Sequence, residues 1–181
     1  MSAFAGFNIT PNYLRQFPKL PAGFINSTAE RIYTTGYAEW AETTYQPIGV
    51  GVMETGIVGD LPKVALPNNT IGQKFFGILI HDSTYYVFPN QPQLTIHGQQ
   101  PVIILRQCWD VRVWADSAVN TSDPVYLIHT AATGEQVGHF KNNNTGNNAV
   151  QVPARWIENL TVGAQPQAAS IELFLPTTRV M

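Results

Sequence analysis

The chain has 181 residues, of which 12% are charged, and 10 Lys and Arg against 12 Asp and Glu give a net charge of -2. This charged share is about half of the roughly 25% usual in globular proteins, and it excludes a nucleic-acid binder that neutralises phosphates with a basic surface. The length predicts one domain with its own core, and the aromatic share of 11% disfavours an intrinsically disordered chain.

The cysteine count and the hydropathy pattern bear on disulfides, zinc binding, membrane insertion and secretion. Cys108 is the only cysteine, so the sequence has no disulfide framework and no multi-cysteine zinc site. No apolar stretch approaches the ~18 residues needed to cross a bilayer, and the first residues do not resemble a signal peptide. We therefore expect a soluble protein that is not secreted and has no membrane partner.

Residues 1–45 are rich in aromatic side chains but show no sustained periodicity, and they allow only one or two helical turns, at 27–31 or 37–43. We expect residues 1–45 to form an extended arm that packs on the domain or on a partner, followed by a β domain over residues 46–181. The aromatic residues of this segment include Phe4, Phe7, Tyr13, Phe17, Phe24, Tyr33, Tyr37 and Trp40.

From residue 46 onward, short apolar segments alternate with turns that contain Gly and Pro. Ile48, Val50 and Val52 share one parity of a short segment, and residues 75–80 form a nearly continuous apolar run bounded by Gly72. Segments of this length and pattern predict β-strands.

An apolar run at 102–105 is followed by a segment, 106–116, in which two parities differ in polarity, and this alternation predicts a half-buried strand with a core side and a solvent side. We expect the charged residues on the solvent side to form cross-strand pairs. The core parity contains Trp109, Val111, Val113 and Ala115, and the outward parity contains Arg106, Asp110, Arg112 and Trp114.

Two further patterns complete the predicted fold. Residues 125–130 and 135–140 flank a loop that contains Gly134, which predicts a β-hairpin. Ile171 and Leu173 alternate with Glu172 and Phe174, which predicts a final strand. Many short strands at regular spacing predict an all-β single domain, either a β-barrel or a jelly-roll-like β-sandwich.

No arrangement in the sequence supports catalysis, a cofactor or a metal ion. Residues 81–83 are His-Asp-Ser, but the members of a hydrolase triad converge from separate elements instead of standing side by side. The histidines lack metal-ligand spacing, although His129 and His139 would face each other across the predicted hairpin. Cys108 has no assigned histidine partner, so we expect an unreactive thiol.

One alternative function rests on the tryptophans. An outward Trp114 beside the Asn-rich loop 142–148 would suit a carbohydrate-binding or adsorption module on a β-sandwich.

Four segments, taken in order, carry a resemblance to a known family. Residues 47–52 (Pro-Ile-Gly-Val-Gly-Val) resemble its opening strand, and residues 74–82 resemble its F-x-G-I-x-x-x-D strand. Residues 123–126 followed by Thr133-Gly134 resemble its G-D-P-V-Y…T-G hairpin, with Ser122 in place of the family's Gly, and residues 152–156 with 171–173 resemble its closing pair of strands. The family is that of the structural cement, or head-decoration, proteins of tailed bacteriophages.

The resemblance implies a virion protein on the outer surface of an icosahedral capsid, without an active site or a cofactor. It implies the major capsid protein and further copies of this chain as partners, with a homotrimer favoured over a homodimer. Aromatic side chains contribute large contact areas at low entropic cost. We therefore expect the capsid or subunit interface to include Phe4, Phe7, Tyr13, Phe17, Phe24, Tyr33, Trp40 and Trp114.

Overall fold

The computed structural model describes residues 22–25, 31–70, 74–80, 95–161 and 166–175. Within these ranges the chain forms strands and turns and no helix, which confirms the all-β prediction, and it therefore has no helix that could cross a membrane. The strands are β1 (Arg31–Ala38), β2 (Tyr45–Pro47), β3 (Gly51–Val58), β4 (Leu61–Ala65), β5 (Lys74–Leu79), β6 (Thr95–His97), β7 (Pro101–Ala115), β8 (Pro124–Ile128), β9 (Phe140–Lys141), β10 (Ala149–Trp156) and β11 (Gln167–Phe174).

Nine of these strands form one sheet that closes on itself twice. The strand order is β1-β4-β3-β5-β7-β11-β10-β8-β9, and the further pairings of β7 with β1 and with β9 close it into two five-stranded rings that share β7. Strands β2 and β6 form a separate two-stranded sheet. Closure pairs the edges that an open sheet would leave exposed, and it corresponds to the barrel alternative of the predicted fold.

Strand β7 belongs to both rings and is 15 residues long. Its first half pairs antiparallel with β1, with Arg31 opposite Cys108 and Tyr37 opposite Pro101, and its second half pairs with β11. The apolar run at 102–105 suits this position, because a strand that is covered on both faces needs apolar residues on both parities.

Two apolar clusters pack on opposite faces of β7. Val102 and Ile104 lie in one cluster, and Leu105 and Cys108 lie in the other. The first cluster contains Ala38, Ile48, Val50, Val52, Val64, Phe76, Leu79, Ile96, Val102 and Ile104, with Phe24, Trp40, Leu66 and Trp114 packed against it. The second cluster is formed mainly by the ring of β7–β11, with Met53 and Ile78 added from β3 and β5, and it includes Val111, Val113, Val125, Leu127, Phe140, Trp156, Ile171 and Leu173.

Several predicted elements are confirmed. The apolar run at 75–80 forms β5, and the alternating segment at 171–175 forms β11. The predicted hairpin is confirmed in part: β8 and β9 are antiparallel with Leu127 paired to Phe140, but its second strand is only Phe140–Lys141, and turns and an isolated bridge occupy most of 132–138. The helical turn at 37–43 is wrong, because Ala38 still pairs with Val64 in the sheet and residues 42–43 form a turn. Residues 27–30 of the other predicted turn lie outside the described residues.

Part of the segment 1–45 is a strand of the main sheet. Residues 31–38 form β1, which pairs with β4 on one side and β7 on the other. The name N-terminal arm is used below for residues 1–21, which lie outside the described residues.

Candidate functional site

One face of the central strands carries exposed aromatic side chains. Ile32 of β1 and Phe174 of β11 both pair with Gln107 of β7, so the three residues form a cross-strand row on one side of the sheet. Phe174 is 44% exposed, and Trp109, on the same side of β7, is 55% exposed. We call this surface, made of Ile32, Gln107, Trp109, Phe174 and Arg155, the aromatic face.

A β-bulge turns Trp109 outward, so the prediction that it lies in the core is wrong. Ile171 and Leu173 are two residues apart on β11, but their partners Val111 and Cys108 are three residues apart on β7. The extra residue shifts the inside/outside parity of β7. Cys108 is therefore buried on the core side, and Trp109 lies on the solvent side.

Arg155 lies over the aromatic face and is held there by a buried carboxylate. It is the cross-strand partner of Glu172, and its Nε donates a hydrogen bond to the Glu172 carboxylate. The guanidinium carbon lies 5.8 Å from the centroid of the Phe174 ring, within the range of a cation–π interaction. Because Glu172 is buried while the Arg155 side chain is largely exposed, the arginine presents an ordered cationic group beside Phe174.

The structure places four of the residues predicted to form the interface. Tyr33 is 59% exposed on β1, whereas Phe24 is half-buried against the first cluster. Trp40 and Trp114 are also half-buried, and each donates its indole N–H to a backbone carbonyl, 3.3 Å from Ile96 O for Trp40 and 2.9 Å from Ile48 O for Trp114. The remaining predicted residues, Phe4, Phe7, Tyr13 and Phe17, lie outside the described residues.

Trp114 is covered by its own chain, so its predicted outward exposure is wrong. Its ring stacks on the His139 ring, with 5.9 Å between the centroids, and its N–H is bonded to Ile48. A sugar-stacking platform at Trp114 therefore has no support. The exposed aromatic residues that sequence analysis missed are Trp109, which the bulge concealed, and Phe174, whose outward parity on the final strand was a usable signal.

The chain segment that leads out of the N-terminal arm is anchored on β7. Gly23 N donates to Arg112 O over 2.7 Å, Arg112 N donates to Phe24 O over 2.9 Å, and Ile25 forms a bridge with Val111. Gly23 has a φ of +83°, and a Cβ there would lie 2.5 Å from the Ile48 side chain. Backbone hydrogen bonds therefore hold residues 23–25, which follow the arm, on the strand that both rings share.

Buried charged groups are paired within the fold. No three His, Cys, Asp or Glu side chains in the described ranges lie close enough together to hold a metal ion. The two histidines of the predicted hairpin have different partners: the His129 ring bonds to Thr130 Oγ1 over 2.9 Å, and the His139 ring bonds to Asp116 Oδ1 over 2.7 Å. The ion pairs are Lys141 with Glu135 at 3.0 Å, Arg112 with Glu158, and Arg155 with Glu172.

Cys108 lies in the second cluster, and burial raises the pKa of its thiol. Its Sγ also lies 3.6 Å from Asp110 O. A buried thiol with a raised pKa is a weak nucleophile, in agreement with the expected unreactive cysteine. Residues 81–83, the His-Asp-Ser tripeptide, lie outside the described residues.

Comparison with known proteins identifies the family of the chain and relatives that share its fold. Residues 9–173 match the family model described as structural cement protein (E217 gp24/Pam3 gp6). No curated protein matches the chain. Among solved structures, the chain is similar to one described as "The capsid of Myoviridae Phage XM1", with a TM-score of 0.60 and 16% identity, covering 85% of this chain and 89% of that chain. At this identity the likeness shows a shared fold.

Proposed function

Because this chain belongs to the structural cement protein family of bacteriophages and is a cement component of the virion capsid, we propose that it binds the outer surface of the head. Each copy contacts the major capsid protein and bridges neighbouring capsomers. The observation that carries this proposal is the family match over residues 9–173, together with a closed all-β body that matches a phage capsid structure in fold.

The charge of the chain supports the outer surface over the inner one. A protein that lines the inside of a filled head lies against packaged nucleic acid, where Lys and Arg neutralise phosphates. This chain has 10 Lys and Arg, 12 Asp and Glu, and a net charge of -2. Part of its small cationic content is also committed to buried ion pairs, as for Lys141 and Arg112. The balance therefore suits contact with protein on the outside.

The fold explains how such a protein can stabilise a shell without catalysis. The two rings share one long strand, so a load applied at one ring passes through β7 to the other. Several weak contacts to different capsomers then add by multivalency. Self-association into a homotrimer at threefold positions, in preference to a homodimer at twofold positions, would multiply these contacts.

Binding to intact particles tests this proposal. Genome-filled particles that lack this protein are mixed with the purified chain, and bound protein is measured after sedimentation. Only the outer surface of a sealed particle is accessible to added protein. We therefore expect saturable binding to sealed particles, with a copy number similar to that of the major capsid protein. Binding only to opened shells would contradict the outer location.

The same measurement separates the cement role from the carbohydrate-binding alternative. An adsorption module occupies the few positions of a tail or fibre, so it would saturate at a small fraction of the capsid copy number. Trp109 is the exposed tryptophan that such a module would use, since Trp114 is covered by His139. A loss of binding in the presence of soluble sugars would support this alternative, and unchanged binding would agree with a contact between proteins.

A further inference from the structure

The geometry points to the aromatic face as the surface that docks on a capsid subunit. This inference rests on the proposed function and names the docking residues within it. Trp109 and Phe174 form its exposed apolar part, Gln107 lies between Ile32 and Phe174 in the cross-strand row, and Arg155 lies over Phe174. The partner that fits is a capsid-protein surface with a shallow apolar depression and carbonyl or carboxylate acceptors beside it.

The bulge in β7 is the first reason for this assignment. A regular strand would bury Trp109, as the alternation of residues 106–116 predicts, but the extra residue turns this large apolar side chain to the solvent side. Bulges commonly re-aim a side chain next to a functional site. An exposed Trp loses the benefit of burial, and a partner that covers it restores that benefit.

The second reason is that the face is ordered before any partner arrives. Ile32, Gln107 and Phe174 lie on three adjacent strands at the junction of the two rings, and Glu172 holds Arg155 over Phe174. Little side-chain entropy is therefore lost on docking. Trp and Arg are also the residue types most enriched among those that dominate binding energy at protein interfaces.

The size of the face favours a capsid subunit over a second copy of this chain. Aromatic side chains present about 150–250 Å² each, so two that are half exposed offer roughly 200 Å² of apolar surface. A stable two-copy interface needs about 800 Å² on each partner. A contact of this size is weak alone and effective when many copies, and several contacts per copy, act on one shell.

Two truncations on different strands test the assignment, W109A on β7 and F174A on β11. The matched control is Y45A, because Tyr45 is a similarly exposed aromatic residue on the separate β2–β6 sheet. Each protein is tested for binding to intact particles that lack it, for oligomeric state by sedimentation, and for thermal stability. We expect W109A and F174A each to weaken binding by at least about tenfold, with oligomeric state and melting temperature unchanged, and Y45A to bind as the wild type does.

Three outcomes would overturn the inference. If W109A and F174A both bind the particles as tightly as the unmodified chain does, the capsid contact lies elsewhere. The proposed function would still stand in that case, because the unmodified chain binds the particles. A changed oligomeric state in W109A or F174A would show that a second copy covers the face. An equal loss in Y45A would show a general effect of removing surface aromatics. Failure of the wild-type chain to bind intact particles would instead contradict the proposed function itself.

Discussion

At the residue scale, charge pairing inside the fold determines which substitutions the protein tolerates. Lys141 is 1% exposed, and its ammonium donates to both carboxylate oxygens of Glu135 at 3.0 Å and to Asn148 Oδ1 at 2.6 Å. Such a pair adds little stability compared with an apolar pair, but removing one partner leaves an uncompensated buried charge. The cost of a substitution therefore depends on which member of the pair remains.

Glu135→Gln tests this asymmetry. The change leaves the buried Lys141 ammonium without its carboxylate, and we expect a loss of about 3 kcal/mol in the free energy of unfolding. The double variant E135Q/K141M should recover much of that loss, because it also removes the buried charge. Urea denaturation near neutral pH measures both, with E42Q at an exposed turn position as the control. Equal stabilities of E135Q and E42Q would contradict the prediction.

Two surface carboxylates predict a mild sensitivity to acid. Hydrogen bonds from Lys63 and Thr55 lower the pKa of Glu39 from its ordinary value of 4.5, and those from the Asn142 side chain and the Asn120 N–H lower the pKa of Asp123 from 3.8. A carboxylate whose pKa is lower in the folded state stabilises the fold above its unfolded-state pKa. That contribution is lost as the pH falls through the folded-state value.

The melting temperature should therefore fall as the pH is lowered through the ordinary values of 4.5 and 3.8 and below them. The double variant E39Q/D123N lacks both titrating groups, so its melting temperature should depend less on pH in this range. The exposed Lys63–Glu39 pair contributes only about 0.2–1 kcal/mol and is weakened by salt, so the melting temperature is measured at low ionic strength. An identical acid profile for the variant and the wild type would contradict this assignment.

At the element scale, the strands that alternate regularly could be predicted and those that depend on distant partners could not. In β5 and β11 the side chains of one or both faces of the strand are buried along most of its length. The apolar pattern that predicts each strand is therefore visible within its own few residues. Strand β1 gave no such signal, because its burial comes from pairing with residues 101–108, about seventy positions away. The bulge opposite Ile171 and Leu173 likewise has no local signature, and one inserted residue was enough to exchange the environments of Cys108 and Trp109.

Gly77 shows why the F-x-G motif of β5 needs its glycine. The residue has a φ of +153°, and a Cβ there would lie 2.3 Å from the carbonyl oxygen of Leu105 on β7. Gly77→Ala should cost at least about 2 kcal/mol, because the clash is with backbone that cannot move aside without disturbing the β5–β7 pairing. Gly56→Ala on β3 is the control, since the nearest atom to its Cβ would be Lys63 Cδ at 3.8 Å. Chemical denaturation of the two variants should differ, and equal stabilities would contradict the role of Gly77.

At the scale of the whole molecule, low charge and closed sheets suit a protein that acts by contact. With 12% charged residues, the surface has few groups that would oppose close association with other proteins, and interface centres are depleted in Lys, Glu and Asp. The resemblance seen in the sequence identified the family. The docking face could not be found in this way, because it depends on the bulge at Trp109 and on three strands brought together by long-range pairing.

Two N-terminal deletions of different length distinguish the role of the arm from the role of β1. Deletion of residues 1–21 leaves β1 in place and should give a folded domain with weaker capsid binding. Deletion of residues 1–40 also removes the seven register pairs between β1 and β7, so it should unfold or aggregate. Circular dichroism melting and binding to intact particles measure the two effects. Full capsid affinity of the shorter deletion would contradict a docking role for the arm, and a stable fold of the longer one would contradict the role of β1.

The most direct measurement of the central claim is a pair of image reconstructions of the head, one from particles that carry this protein and one from particles that lack it. The account predicts additional density on the outer surface at the junctions between capsomers, with the two-ring body oriented so that Trp109 and Phe174 face the shell. Additional density on the inner surface of the shell, or only at the tail, would contradict the account. So would an orientation of the protein in which the aromatic face points to bulk solvent.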